Sequence, residues 1–235
     1  MVILSKVNIN FTKDFIKERK RKELGLPKYS TFEEVLNALT HGIGALLAIT
    51  AIVLLVVFSA HTPMTITCVS IYASTLFITY IVSTIYHALK INYAKKVFRI
   101  LDHCSIFFLI AGTYTPLSLV LIGGTVGWVL FGIIWASAIF GVIINSIDMK
   151  KFSKLSSICY ICMGWCVLFA FKPLINKISV MQLVLLLVGG IAYTIGAVIY
   201  NIGKKNKYMH SVWHVFVLIG SILHFFFIFN YCINL

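Results

Sequence analysis

Charge is what this sequence has least of. Only 11% of its 235 residues are Asp, Glu, Lys or Arg, and just 7 are acidic. Ordinary globular domains carry about 25% charged and roughly 45–50% apolar residues. Here 60% are apolar and the mean hydropathy is +0.97. So little charge excludes a soluble domain, a disordered chain and a nucleic-acid-binding domain, and it leaves an integral membrane protein. A disulfide framework is also missing. The cysteines Cys68, Cys104, Cys159, Cys162, Cys166 and Cys232 all lie in apolar segments, where they read as small packing residues. No short basic start leads into an apolar core, so residues 1–30 read as a retained tail and not a signal peptide. Nor is there an internal repeat of the kind that builds inverted-repeat transporters.

What is present is a series of long apolar runs. They fall at about 35–58, 66–88, 98–121, 125–145, 155–172, 180–202 and 209–232, parted by breaks such as His61-Thr62-Pro63 and Gly123-Gly124-Thr125. Hydrocarbon demands an internally hydrogen-bonded backbone, and these runs are too long and too little alternating for barrel strands. The fold class is therefore an all-α bundle of seven membrane helices spanning 31–235, preceded by a basic tail over 1–30. Ser30-Thr31-Phe32-Glu33-Glu34 holds two overlapping capping boxes, Ser30 with Glu33 and Thr31 with Glu34, which start the first helix.

Basic residues are unevenly shared between the two ends of the bundle. The tail has eight: Lys6, Lys13, Lys17, Arg19, Lys20, Arg21, Lys22 and Lys28. Four lie between helices two and three (Lys90, Lys95, Lys96, Arg99), three between four and five (Lys150, Lys151, Lys154) and three between six and seven (Lys204, Lys205, Lys207). The opposite set holds only Lys172 and Lys177. The positive-inside rule then places the N-terminus in the cytoplasm and the C-terminus outside. This is the reverse of a G-protein-coupled receptor.

Ionisable side chains within membrane spans are costly and by default functional. The candidates are Glu34 and His41 in the first helix, His87 in the second, Asp102 and His103 in the third, and His210, His214 and His224 in the seventh. Asp148 and His61 fall in loops and read as solvated. His87 lies three residues before Lys90, Asp102 three after Arg99, and His210 three after Lys207, so three helices deliver polar groups to one depth. Ser83 stands one turn from His87 on the same face, and His210 and His214 are i and i+4 on adjacent turns. Two imidazoles from one helix and a third from a facing helix make a three-histidine shell with a fourth position open, the pattern of catalytic zinc. The same histidines could also hydrogen-bond between helices without metal. Haem is disfavoured, because bis-histidine ligation needs rings on opposite sides of the macrocycle and these two face the same way.

Glu34, Asn37 and His41 form one stripe on the first helix. His41 sits deeper than the rest, by about 12 Å from Glu33 at helical rise. The stripe reads either as support for the site and its substrate or as interhelical hydrogen bonding. His103, adjacent to Asp102, points away and reads as packing or snorkelling. His224 is too far from His214 to share an ion, and the spacing of Cys159, Cys162 and Cys166 reads as core packing.

These residues carry a family resemblance. STFEEVLNALTHGIG after Tyr29, STIYH at Ser83–His87, LDHCSIFFLIAGTYTP at Leu101–Pro116 and HSVWH at His210–His214 together resemble the signature of the bacterial hemolysin III family. That family belongs to the progestin and adipoQ receptor superfamily, which includes the adiponectin receptors. The resemblance runs from about residue 29. It implies seven helices, a cytoplasmic N-terminus and zinc near the inner surface, with His87, His210 and His214 as ligands, Asp102 holding the water at the metal and Ser83 beside it. Relatives in the superfamily are associated with ceramidase-like amide hydrolysis or with receptor signalling, and the bacterial branch is named for a haemolytic activity.

Three functions compete. One is a zinc hydrolase of a lipid amide or ester, with membrane lipids as its partners. The second is a non-catalytic receptor or regulator of membrane lipid state, stapled by zinc. The third is a pore-forming haemolysin, which is weakest on physics because a secreted toxin needs a soluble state.

Overall fold

The computed structural model describes residues 14–203 and 206–233. Lys6, Lys13, Lys204 and Lys205 lie outside the described residues. Seven apolar helices make up the bundle: α1 (Thr31–Phe58), α2 (Pro63–Ala88), α3 (Tyr93–Ile122), α4 (Gly124–Asp148), α5 (Ser153–Ile175), α6 (Val180–Ile202) and α7 (Met209–Cys232). Lengths of 23 to 30 residues correspond to about 35–45 Å of helix, enough to cross a hydrocarbon core of about 30 Å. The protein is a multi-pass integral membrane protein with no strand among the described residues.

Most boundaries follow from local chemistry. The Ser30 hydroxyl accepts from the Glu33 amide and the Glu33 carboxylate accepts from the Ser30 amide, so the first capping box forms. The second box, Thr31 with Glu34, does not form. The Glu34 carboxylate turns away to His87 and Lys95, two partners with which it makes charge-assisted contacts. The first five helices begin earlier than their apolar runs, by up to five residues. α2 starts at Pro63 with Thr62 as cap, and α3 starts at Tyr93 with the Asn92 side chain accepting from the Lys95 amide. The first turns of α3 carry Lys95, Lys96 and Arg99, which conceals them from any reading based on hydropathy.

Two spans are irregular, and both irregularities are satisfied internally. Pro116 brings no amide to the ladder of α3, and the chain continues as a π-helix over Leu117–Ile122 that closes at Gly123, whose φ of 64° suits glycine. Lys177 donates to the Leu121 and Ile122 carbonyls at that end. α5 is α-helical over Ser153–Trp165, 3₁₀ over Cys166–Ala170 and α-helical again over Phe171–Ile175. The Tyr114 hydroxyl from α3 enters the break, accepting from the Val167 amide at 2.9 Å and donating to the Gly164 carbonyl at 2.8 Å. That hydroxyl gives both backbone groups a partner, as an apolar medium requires.

Side chains are sorted inside out relative to a soluble protein. Large apolar residues such as Leu46, Val53, Trp128, Phe140, Ile158 and Val184 face outward, while His41, Ser83, His87, Asp102, Asn145 and His214 are buried. Cys162 is corrected by this sorting, because it is exposed on the outer face of α5 and is not a core residue. Close approach at the centre relies on Gly44, where a Cβ would stand 2.5 Å from the Tyr80 ring.

The basic tail is more than a tail. Residues 14–23 are helical, Gly25 turns the chain with φ 65°, and Leu26 is buried. Arg21 donates to the Leu26 carbonyl and Arg99 of α3 donates to the Gly25 carbonyl, each at 2.7 Å. The strap over 24–30 is thereby tied across the basic end of the bundle.

Candidate metal centre

The site is assembled where α1, α2, α3 and α7 meet at that basic end. Glu33 uses one carboxylate oxygen to cap α1 and the other to accept from the Tyr208 amide at 3.0 Å, which anchors the start of α7 against the start of α1. Ser211 of α7 donates to the Asn37 side-chain oxygen of α1. These links fix the first two turns of α7, which carry His210 and His214. His87 comes from the last turn of α2.

The three imidazoles point at one another. His210 Nε2 lies 3.2 Å from His87 Nε2 and 3.1 Å from His214 Nε2, and all three residues are buried. His87 Nδ1 donates to Glu34 Oε2 at 2.7 Å, a shorter contact than the 3.5 Å to the Asn37 amide, so its Nε2 presents a lone pair. The Thr40 hydroxyl donates to backbone carbonyls of its own helix and faces His214 Nδ1 at 3.4 Å, which assigns the proton of His214 to Nδ1 as well. Two lone pairs thus converge on the His210 nitrogen, where a single proton could point well at only one of them. A cation serves all three. The observed separations are close to the edge of about 3.3 Å expected for three nitrogens around a tetrahedral ion with bonds of about 2.0–2.1 Å. His87, His210 and His214 could hold a metal ion.

Two further polar atoms are left wanting nearby. The Asp102 carboxylate faces the Ser83 hydroxyl and His87, but Asp102 Oδ2 and Ser83 Oγ make no hydrogen bond of good geometry within the protein. Buried polar atoms without good partners cost about 1–3 kcal/mol each, and both atoms are open to a group bound beside them. Asp102 and His210 line an internal cavity of about 370 Å³. From the basic end it runs into the bundle past Ile106, Leu109, Trp213 and Val217. The chemistry on offer is a three-nitrogen shell, a buried carboxylate and hydroxyl, and an apolar chamber beside them.

The α1 stripe divides. Glu34 and Asn37 contact His87 and Ser211 as just described, whereas neither ring nitrogen of His41 makes a hydrogen bond of good geometry. His41 instead stacks face to face on His214 at 3.6 Å and meets Tyr80 edge-on at 5.0 Å. His103 lines the cavity and packs 6.2 Å from the Tyr200 ring, the packing member of the two roles expected for it. His224 bonds the Leu186 carbonyl on α6 and takes no part in the triad. Three participants carried no signal in the sequence. Lys95 pairs with Glu34 at 2.9 Å, Thr40 faces His214, and Tyr29 of the strap stacks on His210 at 5.1 Å with 27° between the rings.

A family model described as Haemolysin-III related matches residues 29–225. The chain belongs to the haemolysin-III family. It is 41% identical to Hemolysin-3 of Bacillus cereus over 196 residues, 83% of this chain and 89% of that protein. It is 40% identical to a Hemolysin-3 homolog of Bacillus subtilis (strain 168) over 204 residues, 86% of this chain and 95% of the homolog. At a greater distance, it is 27% identical over 169 residues to the human Monocyte to macrophage differentiation factor, covering 68% of each. The region matched by the haemolysin-III model starts at Tyr29 and contains every residue of the cluster, while the tail helix precedes it.

Proposed function

We propose that this haemolysin-III protein is a zinc-dependent hydrolase of an amide or ester bond in a membrane lipid, its N-terminus and metal centre lying on the cytoplasmic side. The observation that carries this reading is the convergence of His87, His210 and His214 beside the buried Asp102 carboxylate, at the head of an apolar cavity. The three imidazoles would hold zinc. The chemistry zinc supplies in a shell with an open position is Lewis acidity, which polarises a carbonyl and lets water lose a proton near neutral pH. Asp102 Oδ2 is the group that orients the attacking water and accepts its proton. Ser83 Oγ donates to the carbonyl oxygen as negative charge develops there. The walls formed by Ile106, Leu109, Trp213 and Val217 shelter the acyl chain and exclude bulk water from the reacting bond.

Haemolysis, which the names of the Bacillus relatives suggest, would then follow from lipid products and not from a pore. A soluble toxin would have to conceal the outward apolar faces of all seven helices. Detergent-purified protein, zinc-loaded and chelator-stripped, screened against a lipid library tests the proposal. Wild type should cleave a lipid only when zinc is present. Asp102→Asn should keep its zinc and lose about 10²–10⁴-fold in turnover, the range of a lost general base. Full activity in Asp102→Asn would remove this mechanism. Absence of cleavage between about pH 5 and pH 9 would favour the regulator instead.

A further inference from the structure

Among the described residues Lys95 is the only lysine or arginine that is buried, with 3% of its surface exposed. A lysine taken out of water needs close partners, because desolvating its ammonium is expensive. Its three N–H groups are matched by three short contacts: the Tyr86 carbonyl at 2.9 Å, the Leu89 carbonyl at 2.9 Å and Glu34 Oε1 at 2.9 Å. The His87 carbonyl follows at 3.4 Å, and the Tyr86 ring lies 4.9 Å from the ammonium. The carbonyls belong to the last turn of α2, which leaves acceptors without helical partners and carries the negative end of the helix dipole. The carboxylate is the one whose other oxygen takes the proton of His87 Nδ1. A single ammonium thus touches both the backbone turn that carries His87 and the side chain that aims its ring.

We propose that Lys95 is a positioning residue for the metal centre, holding in place the Glu34 carboxylate that aims the His87 ring. This rests on the reading of the three histidines as a metal site. Carboxylates that orient a ligating imidazole fix its tautomer and raise its basicity, and losing such a partner typically lowers metal affinity by about 10–100-fold. Lys95 would hold that carboxylate in register. A lysine that merely capped α2 would leave the metal site untouched.

The test uses the full-length chain in detergent, stripped with chelator and titrated with Co²⁺, whose visible bands report the ligand field. Zn²⁺ affinity is read by competition with a chromophoric chelator. Lys95→Met and Glu34→Gln should each alter the Co²⁺ spectrum and weaken Zn²⁺ binding by about 10–100-fold. The double variant should be no weaker than the weaker single one, because both changes interrupt one path. Wild-type affinity and spectrum in Lys95→Met with only a lowered melting temperature would overturn the proposal, as would losses that add in the double variant. If Lys95→Met does not fold, Glu34→Gln decides alone. It leaves the contacts to the α2 carbonyls intact, and an unchanged spectrum and affinity would refute a path through the carboxylate. Wild type that took up neither Co²⁺ nor Zn²⁺ would refute the metal reading itself, before any variant was made.

Discussion

His210 Nε2 is the hub of the cluster, 3.2 Å from one neighbouring imidazole and 3.1 Å from the other. Removing the hub or His214 leaves too few nitrogens to retain an ion, so His210→Ala and His214→Ala should each lose most of the near-stoichiometric zinc that elemental analysis is expected to find in wild type. Chelation should lower the melting temperature of wild type and leave these variants nearly unmoved, since only a protein that binds the ion gains its binding free energy. Undiminished zinc after both substitutions together would refute the assignment. At this scale the sequence is informative where helical periodicity applies. The i, i+4 spacing of His210 and His214 puts them on adjacent turns, and their Nε2 atoms are indeed 3.1 Å apart. The spacing says nothing about Thr40 or Lys95, whose parts depend on which helix lies opposite. A hydroxyl and a lysine near a helix end have many unremarkable uses, so neither stands out in one sequence. His41 shows the converse. Its depth along α1 could be counted, but its stacking on His214 depends on the packing of α1 against α7.

At the scale of helices, the least regular span has the most specific support. The Tyr114 hydroxyl is the partner of both Val167 N–H and Gly164 C=O where α5 changes to 3₁₀ geometry. Tyr114→Phe keeps the ring and removes both bonds. It should destabilise the protein by about 2 kcal/mol, the order expected for stranding buried polar groups, measured as a fall in melting temperature in detergent. An unchanged melting temperature would mean that α5 repairs its own break. Helix positions could be read from apolar runs because hydrocarbon filters composition so strongly, and the ends of α6 and α7 agree with the runs at 180–202 and 209–232. The discrepancies arise where the filter fails. α3 begins five residues before its apolar run because its first turns carry lysines, and the break in α5 stays hidden because Cys166-Val167-Leu168-Phe169-Ala170 is as apolar as any helix.

At the scale of the molecule, every described lysine and arginine but Lys172 and Lys177 lies at one end of the bundle, together with the histidine cluster. We propose, on the positive-inside rule, that this end is cytoplasmic. Single cysteines introduced in the Lys150–Lys154 loop should resist an impermeant thiol reagent in intact cells, while one at His61 should react. The opposite labelling pattern would invert the protein and put the cluster on the outer side.

The strap over residues 24–30 also bears on how fast an ion can come and go. The Tyr29 ring stacks over His210 and tilts against His87 at 5.9 Å, while Arg99 holds the neighbouring turn at the Gly25 carbonyl. A group placed over two ligands, yet offering no donor to the ion, raises the barrier to release and to uptake together and leaves the equilibrium between them unchanged. Residence time and affinity therefore become separate properties of this centre. Tyr29→Ala should shorten the half-time for zinc removal by chelator by about tenfold, the effect of about 1.4 kcal/mol on a barrier, with the zinc dissociation constant unaltered. A parallel loss of affinity would instead make Tyr29 part of the grip on the ion. If rate and affinity separate as expected, the protein can remain loaded through spells of metal scarcity that its equilibrium constant alone would not outlast.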